Sequence, residues 1–165
     1  METKHKTMRE CGEFKQRITS VLYKNKDIVE LILGDTSSMK KSEIAINFKK
    51  HVKSHLFVDD VITDTGTYIY YDVIFPSLAE HTKKCKVIMY LICHRDALET
   101  YQKEGYIGDR IDILSEMVED SLLNDPDVVD EFGIGDLLLD NTAVYNATRF
   151  YGRVMNFSVP GFRWR

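Results

Sequence analysis

One nine-residue segment, Lys86-Val87-Ile88-Met89-Tyr90-Leu91-Ile92-Cys93-His94, constrains the fold of this chain more than any other. From Val87 to Ile92 both alternating faces are apolar, the pattern of a central strand covered on both sides. Such a strand needs neighbours at its edges and layers over its faces, and the sequence on either side of it supplies candidates.

Downstream, Tyr101 to Gly108 reads as a loop and a helix is predicted from Asp109 to Leu123. Ile111, Leu114, Val118 and Leu122 form a narrow apolar stripe with Met117 beside it, while Asp112, Glu116, Glu119 and Asp120 cover the opposite side. Asp125-Pro126-Asp127 ends the helix, because proline cannot continue it. Two alternating strands follow, Gly135 to Asp140 and Phe150 to Val159, with Gly133-Ile134-Gly135 as a turn or bulge before them. Pro160-Gly161 is expected to terminate the second, leaving Phe162-Arg163-Trp164-Arg165 as an aromatic and basic tail.

Upstream, Phe14, Ile18, Val21, Leu22, Ile28, Val29 and Ile32 fall on one helical face, predicting one helix closed by Gly34. Ser42 is a candidate N-cap for a second helix carrying Ile44, Phe48, Val52 and Leu56 at four-residue spacing. Asp64-Thr65-Gly66-Thr67 reads as a turn into a strand from Tyr68 to Phe75. There Ile69, Tyr71, Val73 and Phe75 share an apolar face, and Tyr68, Tyr70, Asp72 and Ile74 share a mixed one suited to an interface. The expected fold is α+β: an N-terminal helix, an antiparallel or mixed sheet with one helix packed across it, and a C-terminal β-hairpin. Residues 1–165 form a single domain in this reading, with 1–12 and 161–165 as flexible or partner-bound termini.

Composition narrows the function classes. The 22 Lys+Arg against 26 Asp+Glu give a net charge of −4, which argues against general nucleic-acid binding, since that needs a basic face to displace counterions. No run approaches the roughly 20 apolar residues of a membrane span, and no secretory signal is expected behind Met1-Glu2-Thr3-Lys4-His5-Lys6. Cys11, Cys85 and Cys93 are an odd set without framework spacing and suit a reducing compartment.

In order, these elements resemble the tail-terminator and neck (tail-completion, head-tail joining) proteins of tailed bacteriophages. The phrases that carry the likeness are Ile92-Cys93-His94, Gly108-Asp109-Arg110-Ile111-Asp112, Gly133-Ile134-Gly135-Asp136-Leu137 and Phe150-Tyr151-Gly152-Arg153. The resemblance spans about Phe14 to Phe162 and is one of pattern. It implies a virion structural protein without catalysis, assembled in the host cytoplasm as a homo-oligomeric ring of about six copies. The ring caps the tail tube and sheath, docks the neck, and meets DNA transiently through its lumen. The strand from Tyr68 to Phe75 is longer than the minimal fold needs, so terminator and adjacent neck adaptor both stay open.

Candidate chemistry is sparse. Cys93 and His94 point to opposite faces of a strand and cannot converge on one ion, and Cys85 has no CxxC partner. A strand-end histidine making a hydrogen bond is the better reading of His94. Asp112 and Glu116 share a helix face and could hold a cation, which keeps a small metal-dependent cytoplasmic enzyme as the alternative from another class. A solvated acidic face explains them more simply. Lys49-Lys50-His51-Val52-Lys53-Ser54-His55, the main basic cluster, reads first as a solvated helix face. No catalytic, cofactor-binding or metal-binding residue is assigned, and no cofactor is expected. The residues expected at interfaces are Tyr68, Tyr70, Phe150, Tyr151, Arg153, Phe162, Trp164 and Arg165.

Overall fold

The computed structural model describes residues 7–56, 65–78, 82–125 and 137–163. Among these residues four α-helices, α1 (Thr7–Lys24), α2 (Lys26–Leu33), α3 (Lys41–His51) and α4 (Arg110–Asn124), accompany five strands. The strands are β1 (Val52–Lys53), β2 (Thr67–Leu78), β3 (Thr82–His94), β4 (Leu138–Asn146) and β5 (Phe150–Arg163). They form one mixed sheet in the order β1-β2-β3-β5-β4, with β1 parallel to β2 and every other pair antiparallel. The α+β expectation holds, and the apolar segment Lys86–His94 lies in the central strand.

The expected single N-terminal helix is two. Asn25 breaks it: its side-chain oxygen accepts the Asp27 and Ile28 amides at 3.0 and 3.4 Å, capping α2. Its side-chain nitrogen donates to Ser121 Oγ on α4 at 2.8 Å, so the break is tied to the core. Apolar periodicity continues across a local cap, which is why the pattern hides it. The helix also begins at Thr7 with Cys11 buried, so residues 7–12, expected as loose terminus, are helical.

The second helix starts one residue ahead of Ser42, where the Lys40 amide donates to Glu43 Oε2 at 3.1 Å, and stops at His51. Val52 and Lys53 leave it to pair with Ile69 and Tyr70. The parts of this reading that fall on residues 57–64 lie outside the described residues, as do those on residues 126–136.

α4 matches its expected span. Asp109 Oδ1 accepts the Ile111 and Asp112 amides at 2.9 Å each, and the Asp109 amide donates back to Asp112 Oδ2 at 3.1 Å. Gly108, at φ 109°, permits this box, because a Cβ there would stand 2.5 Å from Asp112 Oδ2. Its buried surface is wider than a stripe, taking in Ile113 and Ser115, because α4 meets β3 and β5 below and α1 and α2 at its sides.

The core lies between the helices and one sheet face, where Ile69, Tyr71, Val73, Val87, Met89, Leu91, Cys93, Met155 and Phe157 meet Phe14, Ile18, Leu22, Ile28, Leu114 and Val118. On that face β3 is covered along its length, and on the other only near its end, where Ile92 is fully buried. Farther back on that second face Ile88 and Tyr90 are half-buried and Lys84 and Lys86 exposed, so the expected cover on both sides is met in part. The C-terminal hairpin also differs from its predicted bounds. β4 runs on to Asn146, and β5 passes through Pro160-Gly161 to Arg163, where Phe162 and Arg163 pair with Lys83 and Thr82. A register irregularity between Lys83 and Cys85 accommodates the proline, whose missing amide would interrupt a regular ladder.

Candidate functional site

Cross-strand register assembles the sheet face opposite the main core. Tyr68, Ile92, Gly152 and Tyr145 lie in one row across β2, β3, β5 and β4, and Tyr70, Tyr90, Val154 and Ala143 in the next. His94 and Phe150 pair beyond the first row. On the other side come Asp72, Ile88, Asn156 and Asn141, then Ile74, Lys86, Ser158 and Leu138. The face therefore grades from aromatic to polar along the strands.

At the aromatic end Tyr68 and Tyr70, only 5% and 3% exposed, form a second buried cluster with Ile92 and Phe150. His51, from the last turn of α3, stacks on Tyr68 at 4.7 Å while its Nδ1 meets the Thr67 carbonyl at 2.9 Å. Phe150 stands edge-on to Tyr68 at 6.4 Å and to His94 at 5.9 Å. Gly152 makes room for this packing, since a Cβ there would lie 1.9 Å from the Leu91 carbonyl oxygen and 2.9 Å from Ile92 Cγ2. Farther out, Tyr90 and Tyr145 pair at 5.5 Å with both rings half-buried. The polar end is stitched by Asn156 Nδ2 donating to Asn141 Oδ1 and Ser158 Oγ to Asp140 Oδ1, both at 2.8 Å.

The residues expected at interfaces separate into distinct roles. Tyr68, Tyr70 and Phe150 are packed within the chain itself, and Tyr151, on the opposite face of β5, packs against the main core. Arg153 holds Asp112 at 2.7 Å and donates to Ser115 Oγ at 3.0 Å, fastening β5 to α4. The backbone of Phe162 pairs with β3, while Trp164 and Arg165 lie outside the described residues. Surface positions come instead from β4, exposed on both faces, with Val144 67% and Leu138 48% accessible. Beyond Asp140, where the expected strand ends, the Asn141-Thr142-Ala143-Val144-Tyr145-Asn146 run carries no burial signal.

The candidate chemical residues are placed as follows. His94 Nδ1 accepts the Asp96 amide at 3.2 Å, the strand-end role expected of it. Cys93 points into the core, where burial pushes its thiol up to about 11 and removes its nucleophilic character at neutral pH. Asp112 is partly exposed and partnered: the Arg153 hydrogen bond, with the Asp109 amide adding, holds it below the ordinary carboxylate range against a desolvation that works the other way. Glu116 remains exposed. Among the described residues no cluster of three or more His, Cys, Asp or Glu side chains is placed to hold a metal ion.

One organising residue was invisible to sequence reasoning. The Arg110 guanidinium donates to the Ala97 carbonyl at 2.9 Å, the Leu31 carbonyl at 3.0 Å and Thr67 Oγ1 at 3.4 Å, and lies 5.0 Å from the Tyr101 ring centre. It joins the start of α4, the end of α2 and the start of β2. An arginine in the first turn of a helix gives no hint of such partners.

Comparison with curated proteins and with solved structures returns no match. A protein-family comparison does, over residues 15–159, from the middle of α1 to Val159 on β5. The chain belongs to the YomW family, a phage-derived family.

Proposed function

We propose that this phage protein is a structural component of the head-tail junction, acting as a tail terminator. In this reading copies form a ring of about six that caps the tail tube and sheath and presents a docking surface to the neck. It works by contact and not by catalysis, and DNA passes through its lumen without being held. Its place is the virion, after assembly in the host cytoplasm.

One observation supports the reading: among the described residues the helices cover one face of the five-stranded sheet, while the outer strand β4 and the polar end of the other face are exposed. The open face combines a preformed aromatic end with half-buried Tyr90 and Tyr145 and the exposed Leu138 and Ile74. Rigid aromatic surface of this kind supplies contact area at low entropic cost. Heterologous contacts between copies close into a ring rather than an open fibre when the rotation between neighbours permits. The phage-derived family supports a phage protein, and the element order is what suggests the head-tail junction.

Deletion of the gene from an inducible prophage tests it. Filled heads and unjoined tails, or tails of irregular length, are expected in the lysate by electron microscopy. Normal yields of joined, infectious particles would refute the reading.

A further inference from the structure

The two edges of the sheet are treated differently. On the β2 side, β1 pairs with Ile69 and Tyr70, the Cys11 thiol donates to the Val73 carbonyl at 3.4 Å, and Lys15 holds Asp72 at 2.6 Å. On the other side β4 is the last strand, and among the described residues β5 is its one strand neighbour. The hairpin bond from the Ala147 amide to the Phe150 carbonyl, 2.9 Å, sets the alternation. Ala143 and Tyr145 then direct their backbone groups inward to β5, and Thr142, Val144 and Asn146 direct theirs outward.

Exposed edges are ordinarily blunted by charge, proline or a bulge, because unpaired amides and carbonyls template the addition of another strand. Here the bulge falls between Leu139 and Asn141, ahead of the run. From Asn141 to Thr148 the sequence Asn-Thr-Ala-Val-Tyr-Asn-Ala-Thr contains no charge and no proline. Its centre, Val144, is 67% exposed. Opposite charges bracket the run, Asp140 before it and Arg149 after it, both exposed.

We propose that two copies of this chain pair β4 to β4, antiparallel, about a two-fold axis at Val144, joining two five-stranded sheets into one. The occupant follows from charge and number. Antiparallel self-pairing brings Asp140 of each copy beside Arg149 of the other, twice, whereas a parallel pair would set Asp140 against Asp140. One such edge per molecule, without a second strand among the described residues, is satisfied by its own copy only in a closed, isologous pair. Val144 then exchanges both backbone hydrogen bonds with its counterpart, Thr142 faces Asn146, and Ala143 faces Tyr145. A contact one strand wide is small for an interface, so a weak pair with a micromolar dissociation constant is expected. The pair does not rest on the head-tail reading. A two-fold contact does not recur around a polar ring, so it belongs to chains outside the ring, and entry into a ring exchanges it for another contact.

Single-cysteine variants of the full chain test the register. Cys11, Cys85 and Cys93 are buried and act as spectators. V144C is expected to form a same-residue disulfide dimer under mild oxidation, because hydrogen-bonded antiparallel partners sit about 5.5 Å apart at Cα, within disulfide reach. T142C alone should stay unlinked, and T142C mixed with N146C should give the mixed dimer. In sedimentation velocity the wild-type chain should shift from monomer to dimer with concentration. V144K should stay monomeric with an unchanged circular dichroism spectrum and Tm. A wild-type chain that remains monomeric at every soluble concentration would overturn the proposal. Equal self-linking of V144C and T142C, as random collision would give, would overturn it too. Rings found in particles bear on the head-tail reading alone, so the two fail separately.

Discussion

Arg153 on β5 grips Asp112 on α4 at 2.7 Å, and through it the C-terminal hairpin is held to the helix that crosses the sheet. Both side chains are partly exposed, at 29% and 39%, so solvent screening keeps the pair modest. Arg153→Met is expected to cost about 1 kcal/mol at pH 7, measured by urea unfolding. Because the folded carboxyl lies below its unfolded value, the contribution is complete above the ordinary carboxylate range and is lost as pH falls through the lowered folded value. The gap between wild type and variant should therefore close in acid. A gap constant from neutral pH down to pH values below that range would show that the ion pair is not its source.

Gly152→Ala forces a methyl into the Leu91 backbone carbonyl, which has no rotamer to yield. The two central strands must separate or shift register, and overpacking of this kind costs about 3 kcal/mol or more. Thermal unfolding should show a large drop in Tm, with loss of the near-ultraviolet signal from the adjoining Tyr68–Phe150 packing. A near-neutral result would mean that the strands are farther apart at this point.

Asn25→Ala removes the cap of α2 and its bridge to Ser121 together. A loss of about 1–2 kcal/mol is expected, with Asn25→Asp recovering the capping part only. Ser121→Ala should reproduce the remainder, and a double-mutant cycle would measure the coupling.

Tyr71 is buried, with its hydroxyl donating to the Lys15 carbonyl at 2.6 Å and bonded to Thr19. Burial pushes its ionisation up to about 12. Raised in the folded state, this group stabilises the fold fully below the unfolded tyrosine value of about 10, and that stabilisation is lost as pH rises toward the folded value. Spectrophotometric titration should show one tyrosine ionising late or only on alkaline unfolding, and Tyr71→Phe should remove that step and flatten stability between these limits.

The parts of the fold read from sequence were those in which side chains repeat. The period of Ile111, Leu114, Val118 and Leu122 located α4, and alternation along Tyr68 to Phe75 sorted β2 into its core and open faces. What escaped depends on single polar residues acting at long range. Asn25 splits a helix without disturbing its apolar period, and Arg110 joins three elements through carbonyls that no pattern marks. What Tyr68, Tyr70 and Phe150 pack against within the chain was hidden for a related reason. Tyrosine and phenylalanine fit surfaces and cores alike, and here His51 and Ile92 complete a small second core around them. β4 was cut short at Asp140 because an outer strand exposed on both faces has no alternation to display.

Cryo-electron microscopy of the intact phage particle is the most direct test of the claim that this protein acts by assembly. A closed ring of this fold is expected between the last tube layer and the neck, its open sheet face or its flanks against neighbouring subunits. A map whose head-tail junction is fully accounted for by other chains, with this protein missing from purified particles by mass spectrometry, would contradict it.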